Sequence, residues 1–307
     1  MTKNISIIGF GNIGKFICGI LLRNKKHHFN INVIDTDWQV HGALLDFEHG
    51  LEIFHNHDMS FNDEEALNDA DFIFHCAGAS VPRGKSRLVT CHMSIEITEA
   101  IFQNFKPKKE PFIFVVANPV EIISFITHRI TGIPKEKIIG TGTYLDSLRM
   151  DHAIRKTNRG ISDIRSILLG EHGTSVFLSE QLSTVNGEPI RNLFSEDTIE
   201  ELMNSVKAAA EEIKQTQEAT IYGVSYCAVH LFETILNDEK IEVPVSTCIP
   251  EHIKKELNTG NMFLSLHSNI SSFGASSYVS YIPNEKEIQC LQKSVDLIAP
   301  LIPRKYV

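Results

Sequence analysis

The chain has little to offer a polyanion, a membrane or a disulfide framework. Its 29 Lys and Arg are outnumbered by 38 Asp and Glu, for a formal charge of -9. Nucleic-acid binding draws on clustered cations, so that class of partner is disfavoured. The single basic run, Lys106 to Lys109, is broken by Pro107 and reads as the end of a helix. Six cysteines (Cys18, Cys76, Cys91, Cys227, Cys248, Cys290) form no C-x-x-C pair. Scattered through apolar surroundings, they read as reduced core thiols of a cytoplasmic protein. No apolar run approaches the roughly 18 residues of a membrane span. The apolar stretch after Ile5 is cut by Gly9, too early for a secretory signal. Among the 14 histidines, His55 and His57 have strand-like spacing but lack a carboxylate or cysteine partner. They read as a solvated loop, and no metal is expected.

What remains is an ordinary globular composition, 42% hydrophobic and 22% charged over 307 residues, enough for two domains. In the first half, short β-branched runs alternate with helical patterns. Ile5 to Ile8, Ile31 to Ile34, Phe72 to Cys76, Phe112 to Ala117 and Ile138 to Ile139 read as buried parallel strands. Ile13 to Leu22, Gln39 to Leu51 and Val120 to Thr131 read as the helices between them. This repetition predicts an α/β fold, a Rossmann-type doubly wound parallel sheet. The second half mixes long helices (Leu145 to Lys156, Thr198 to Lys214, Thr220 to Asn237) with strand-like runs and an Asn186-Gly187 hairpin signal. It predicts an α+β domain with antiparallel strands, closed by a helix from Glu285 to Leu301. The boundary falls near Gly142, giving domains 1–142 and 143–307.

Gly9-Phe10-Gly11-Asn12-Ile13-Gly14 follows the first strand and opens a helix. The first glycine permits the turn, the second admits a pyrophosphate, and the third lets helix and strand pack. The helix N-terminus adds free N–H groups and a positive dipole end. Asp35 follows about 20 residues later, where a carboxylate accepts from ribose hydroxyls and repels a 2′-phosphate. NAD is the expected cofactor. Asp37 is better suited to capping the next helix.

Four further motifs stand out. Leu169-Gly170-Glu171-His172-Gly173 presents a histidine in a glycine-flanked turn. The stretch Gly140 to Arg149 sets Asp146 and Arg149 three residues apart on one helix face. Ala77-Gly78-Ala79 runs through a Gly- and Pro-containing loop to Arg87, and Val116 to Val120 ends a strand at Asn118-Pro119. In order and spacing, with the glycine loop, these resemble the L-lactate and malate dehydrogenase family.

The resemblance implies a catalytic histidine, His172, as acid–base group, oriented by Asp146, with Arg149 clamping the substrate carboxylate and Arg87 polarising the reacting carbonyl. Asn118 is implied near the substrate oxygen and the nicotinamide ribose, with Ala77 and Gly78 beside the cofactor. The loop around Gly84 is implied as a closing lid. The family's side-chain selector lies six residues before the loop arginine, which is Val81 here. With Ala219, Thr220 and Val224 opposite, it favours an uncharged side chain over a second carboxylate. The implied partners are a small 2-hydroxy or 2-oxo acid and further copies of the chain, in a homotetramer or homodimer.

The pattern is not complete. Glu121 stands where the family usually has Asp, Ser94 where it has Asn, and Thr174 where Asp or Asn is common. Asp151 and Arg165 occupy the positions at which some bacterial relatives bind fructose-1,6-bisphosphate, and an acid there argues against that activation. Three alternatives remain: a malate dehydrogenase with Arg83 substituting, an NAD-binding protein without catalysis, and a metal-dependent NAD glycosidase, for which no ligand set assembles.

Overall fold

In the computed structural model the first apolar runs become the parallel strands expected of them. Residues 2–53, 57–80, 87–157, 160–217, 219–277 and 281–306 are described, less the side chains of Arg87, Lys214 and Ser277. Val81 and the loop around Gly84 therefore lie outside the described residues, as does His55. The first half runs β1 (Thr2–Ile8), α1 (Asn12–Leu21), β2 (His28–Ile34), α2 (Val40–Leu51), β3 (His57–Phe61), α3 (Glu64–Asn68), β4 (Phe72–His75), α4 (Cys91–Phe102), β5 (Phe112–Val115), α5 (Val120–Thr131) and β6 (Ile138–Gly140). Their order is β3-β2-β1-β4-β5-β6, all parallel, so the sheet reverses direction of growth between β1 and β4. A crevice at the carboxyl ends of strands beside such a switch is where doubly wound folds bind ligands.

Strand β3 corrects one expectation. His57 is no solvated loop residue: it is buried, and its Nδ1 accepts from Phe29 N at 3.1 Å while Nε2 meets the Asn24 carbonyl at 3.1 Å. Both ring nitrogens are consumed by the edge of the sheet, which a reading of polar neighbours could not reveal.

The second half contributes α6 (Tyr144–Thr157), β7 (Ile164–Arg165), β8 (Leu168–Leu169), β9 (Phe177–Leu178), β10 (Thr184–Val185), β11 (Glu188–Pro189), α7 (Glu196–Thr216), α8 (Tyr222–Leu236), β12 (Ile241–Cys248), α9 (Glu251–Glu256), β13 (Phe263–Ser271), β14 (Gly274–Ser277) and α10 (Glu285–Ile298). Strands β10 and β11 meet across Asn186 and Gly187, both at positive φ, as the hairpin signal implied. Strands β12, β13 and β14 are antiparallel, but they extend the first sheet to nine strands in place of forming one of their own. The junction pairs Ser246 with Gly140. A Cβ on Gly140 would lie 2.7 Å from the Ser246 Cβ, so only glycine lets β12 close on β6.

Two apolar cores cover the faces of the sheet. One includes Ile73, Ile113, Ile123 and Leu264; the other joins Phe29, Phe74, Phe114 and Phe232. A third, under α7, is built from Met150, Ile154, Leu168, Ile199, Leu202 and Val206. Caps set helix ends where the sequence supplies them: Asp63 accepts from Ala66 N at 3.0 Å, and Asn284 with Glu287 forms a capping box on α10. Among the described residues no helix is long and apolar enough to cross a membrane.

Candidate active site

The glycine loop is shaped by what its glycines exclude. Gly9 has φ +87, and a Cβ there would stand 2.5 Å from Ala77 N. A Cβ on Gly14 would be driven into the Gly9 carbonyl oxygen. Gly11, by contrast, faces open space, with nothing within 4 Å of the Cβ position. It also starts α1, whose N-terminus has no side-chain cap and no acid in the first turn. Free N–H groups, a positive dipole end and an open approach fit a diphosphate.

Asp35 lies at the end of β2 and engages the same loop: Oδ2 accepts from Phe10 N at 2.6 Å and Oδ1 from Asp37 N at 2.9 Å. Each oxygen keeps a second acceptor direction. Asn62, at φ +52, brackets Asp35 by accepting from its N–H at 3.0 Å and donating to its carbonyl at 2.9 Å. Nothing in the order of residues pointed to Asn62, which is brought there by strand β3. Asp37 behaves as a turn residue, accepting from Gln39 N at 2.9 Å ahead of α2.

Across the switch point, the turn between β8 and β9 brings His172 against the first turn of α6. His172 Nδ1 lies 2.5 Å from Asp146 Oδ2, and Arg149 donates to Asp146 Oδ1 at 2.9 Å. The three side chains are 12%, 7% and 13% exposed, respectively. A carboxylate only accepts, so Nδ1 carries the hydrogen and a neutral imidazole keeps its lone pair on Nε2. The expected clamp therefore differs in one respect: Arg149 is pinned by Asp146, leaving its remaining N–H groups for another anion.

These groups converge on one cleft of about 480 Å³. Gly9, Gly11, Asn12, Ile13, Gly14, Gly78, Asn118, Arg149, His172 and Thr220 line it, together with Ala219 and Val224. Ala77 sits behind Gly9, Asp146 behind His172, and Asp35 beyond the lining. The Arg87 side chain and Val81 are outside the described residues. Leu145, Thr141 and Cys76, which no motif singled out for contact, also line the cleft. Asn118 Oδ1 is buried there without a hydrogen-bond partner, an orphan acceptor of the kind a bound ligand satisfies. A larger groove of about 1030 Å³ is lined by residues of α7 and α10 and carries charges of both signs, Glu180 taking both Arg191 and Lys286. Among the described residues no group of three or more His, Cys, Asp or Glu could hold a metal ion.

Around the cleft, two of the three residues that depart from the family pattern, Ser94 and Glu121, are buried and bonded, whereas Thr174 is exposed. Ser94 Oγ accepts from Ala79 N at 3.2 Å, tying the base of the loop to α4. Glu121 Oε1 accepts from His172 N at 3.1 Å. Burial, with the charge of Glu171 nearby, pushes the Glu121 carboxyl up to about 8.

Fold and cleft define a dinucleotide-binding oxidoreductase of the doubly wound class. The profile of the lactate/malate dehydrogenase NAD binding domain matches residues 3–140, and that of the lactate/malate dehydrogenase alpha/beta C-terminal domain matches residues 143–299. The chain belongs to the lactate/malate dehydrogenase family, whose cofactor is NAD. An L-lactate dehydrogenase from Clostridium botulinum is 26% identical over 306 residues, covering 97% of this chain and 95% of that protein. One from Halalkalibacterium halodurans is 27% identical over 299 residues, covering 96% and 95%. The solved minor L-lactate dehydrogenase from Enterococcus mundtii has a TM-score of 0.86 at 24% identity, covering 98% of both chains. The malate dehydrogenase from Plasmodium falciparum reaches 0.87 at 23%, covering 100% of this chain and 98% of that one. At such identity these structures establish a shared fold and do not separate lactate from malate.

Proposed function

We propose that the protein is an NAD-dependent L-2-hydroxy acid dehydrogenase whose substrate carries an uncharged side chain. The observation that carries this reading is the His172–Asp146–Arg149 constellation, of which His172 and Arg149 line the same cleft as the glycine loop. Gly9 to Gly14 and Asn118 would hold NAD, which when bound would supply the hydride acceptor. His172 takes the hydroxyl proton on Nε2 during oxidation and returns it during reduction. Asp146 fixes the tautomer and stabilises the imidazolium. The N–H groups of Arg149 not spent on Asp146 hold the substrate carboxylate. Arg87 keeps the carbonyl-polarising role that its sequence position implies. Asp35 accepts from the ribose and disfavours a 2′-phosphate. Residues 1–142 serve the dinucleotide and 143–307 the substrate, in a cytoplasmic homodimer or homotetramer.

Leu145, Ala219, Thr220 and Val224 support the choice of substrate, because none carries a positive charge to offset a second carboxylate and an unpaired buried charge is costly. No activation by a sugar bisphosphate belongs to this reading. Asp151 accepts from Ser166 N at 2.9 Å, and Arg165 is committed to Glu242 at 2.6 Å.

The test is NADH oxidation against a panel of 2-oxo acids. Branched or aromatic 2-oxo acids are expected at or above pyruvate, gaining about 0.8 kcal/mol per buried methylene, with oxaloacetate last. Val81→Arg should raise oxaloacetate activity. A wild type that prefers oxaloacetate sinks the substrate assignment and turns attention to Arg83. NADH should be preferred to NADPH, and Asp35→Ser should narrow that preference.

A further inference from the structure

Glu121 occupies the first turn of α5, three residues beyond Asn118, and is buried. Its Oε1 accepts two hydrogen bonds, from the His172 backbone N–H at 3.1 Å and from Ser265 Oγ on β13 at 2.8 Å. On the other side of the same turn Glu171, also buried, takes the Ser175 N–H at 3.2 Å and its hydroxyl at 3.0 Å on Oε2. Ser294 of α10 accepts from Glu171 N at 3.1 Å. The turn that presents His172 is therefore held by two buried carboxyl groups, neither of which is the Asp146 that holds its ring. An amide at position 121 would satisfy both donors at a lower desolvation cost. The residue that stands there can instead gain and lose a proton.

We propose that Glu121 is a positioning residue of the proton-transfer step: it fixes the main chain of His172, and its ionisation stabilises the imidazolium form of that histidine. The proposal rests on the reading of His172 as the acid–base group. Facing Glu121 are Glu171 and His172 from the turn and the neutral Ser265 from β13; Asp146 of α6 engages the His172 ring, and Arg149 engages Asp146. With the carboxyl pushed up to about 8, Glu121 is protonated at neutral pH and gains its charge as pH rises. The new anion, bonded to the His172 main chain, then favours a positive charge on the imidazole by electrostatic attraction.

The experiment is kcat/KM for 2-oxo acid reduction between about pH 6 and 9 in wild type, Glu121→Gln, Glu121→Ala and His172→Asn. Glu121→Gln mimics the protonated carboxyl, so it should match wild type at neutral pH within about threefold. Its alkaline limb should fall about one pH unit earlier, and the imidazole titration followed by NMR should move the same way. Glu121→Ala, which abandons both donors, should lose about tenfold or more at every pH. NADH binding, read by fluorescence, should be unchanged in all variants and reports that they fold. A Glu121→Gln profile and imidazole titration superimposable on wild type would overturn the proposal, as would full activity in Glu121→Ala. Near-normal activity in His172→Asn would instead remove the acid–base reading beneath it.

Discussion

The two sides of the cleft are held by different physics. On the dinucleotide side, backbone approaches backbone: Gly9 against Ala77, the Gly14 position against the Gly9 carbonyl, and Gly11 at the open N-terminus of α1. On the side of His172, the structure is held by ionisable side chains: Asp146 between His172 and Arg149, and the Glu121 and Glu171 carboxyl groups at the turn itself. A site built by sterics fails on the addition of one methyl group and is indifferent to pH. A site built by buried ionisable groups depends on its hydrogen-bond partners and responds to a proton gained or lost. The division suits the tasks, since a diphosphate needs a close backbone whereas acid–base work needs a group that titrates.

The largest effect expected is on the charged side. His172→Asn should lower turnover by several orders of magnitude while leaving NADH affinity nearly unchanged. Stopped-flow turnover with parallel fluorescence titration would decide it, and a loss of cofactor binding in step with turnover would erase the division.

Next come two alanines on the steric side. Gly14→Ala should cost roughly 1–3 kcal/mol of stability through overpacking and weaken NADH sharply, because the obstacle is backbone. Gly11→Ala should leave the melting temperature as it was, since the space is empty and φ is -72. It should nonetheless weaken NADH by about tenfold or more, roughly the worth of one good hydrogen bond to a charged group. Wild-type NADH affinity in Gly11→Ala would mean that the open space is not the diphosphate's.

The smallest effect is thermodynamic and concerns His75, buried at the end of β4, where it meets Thr98 Oγ1 at 3.1 Å. Burial pushes its imidazole down to about 4. The unfolded chain then binds the extra proton between roughly pH 6.5 and 4, so the contribution is present above that window and is lost as pH falls through it. For His75 the loss between about pH 7 and 5 is on the order of 2 kcal/mol. His267 works in the same direction, again through burial first. Glu121 works in the opposite one: its raised carboxyl contributes least where it is ionised, above about 8. The measurement is therefore a difference, urea unfolding of wild type and His75→Gln at both pH values. Equal slopes in the two proteins would remove His75 from the account.

Much of this could be read along the chain. The parallel strands announce themselves as apolar runs because both faces of the sheet are covered. Gly9 to Gly14 and Asp35 are legible because their spacing is set by a single strand–turn–helix unit. Asp146 and Arg149 are legible as neighbours because three residues on a helix share a face. These are local relations, and local geometry follows from a few consecutive residues.

Other relations cross the fold, and only packing creates them. His57 changes from loop to core because Phe29, 28 residues away, needs an acceptor at the sheet edge. Strands β12 to β14 join the first sheet because Gly140 leaves room for Ser246. Asn62 reaches Asp35, and Glu121 meets a backbone N–H 51 residues further on. A residue's type announces what it can donate or accept. Which partner it receives, and whether water is left to compete, depends on the burial that comes with the closed structure, and this is why the motif of His172 could be read from the chain and the carboxyl group behind it could not.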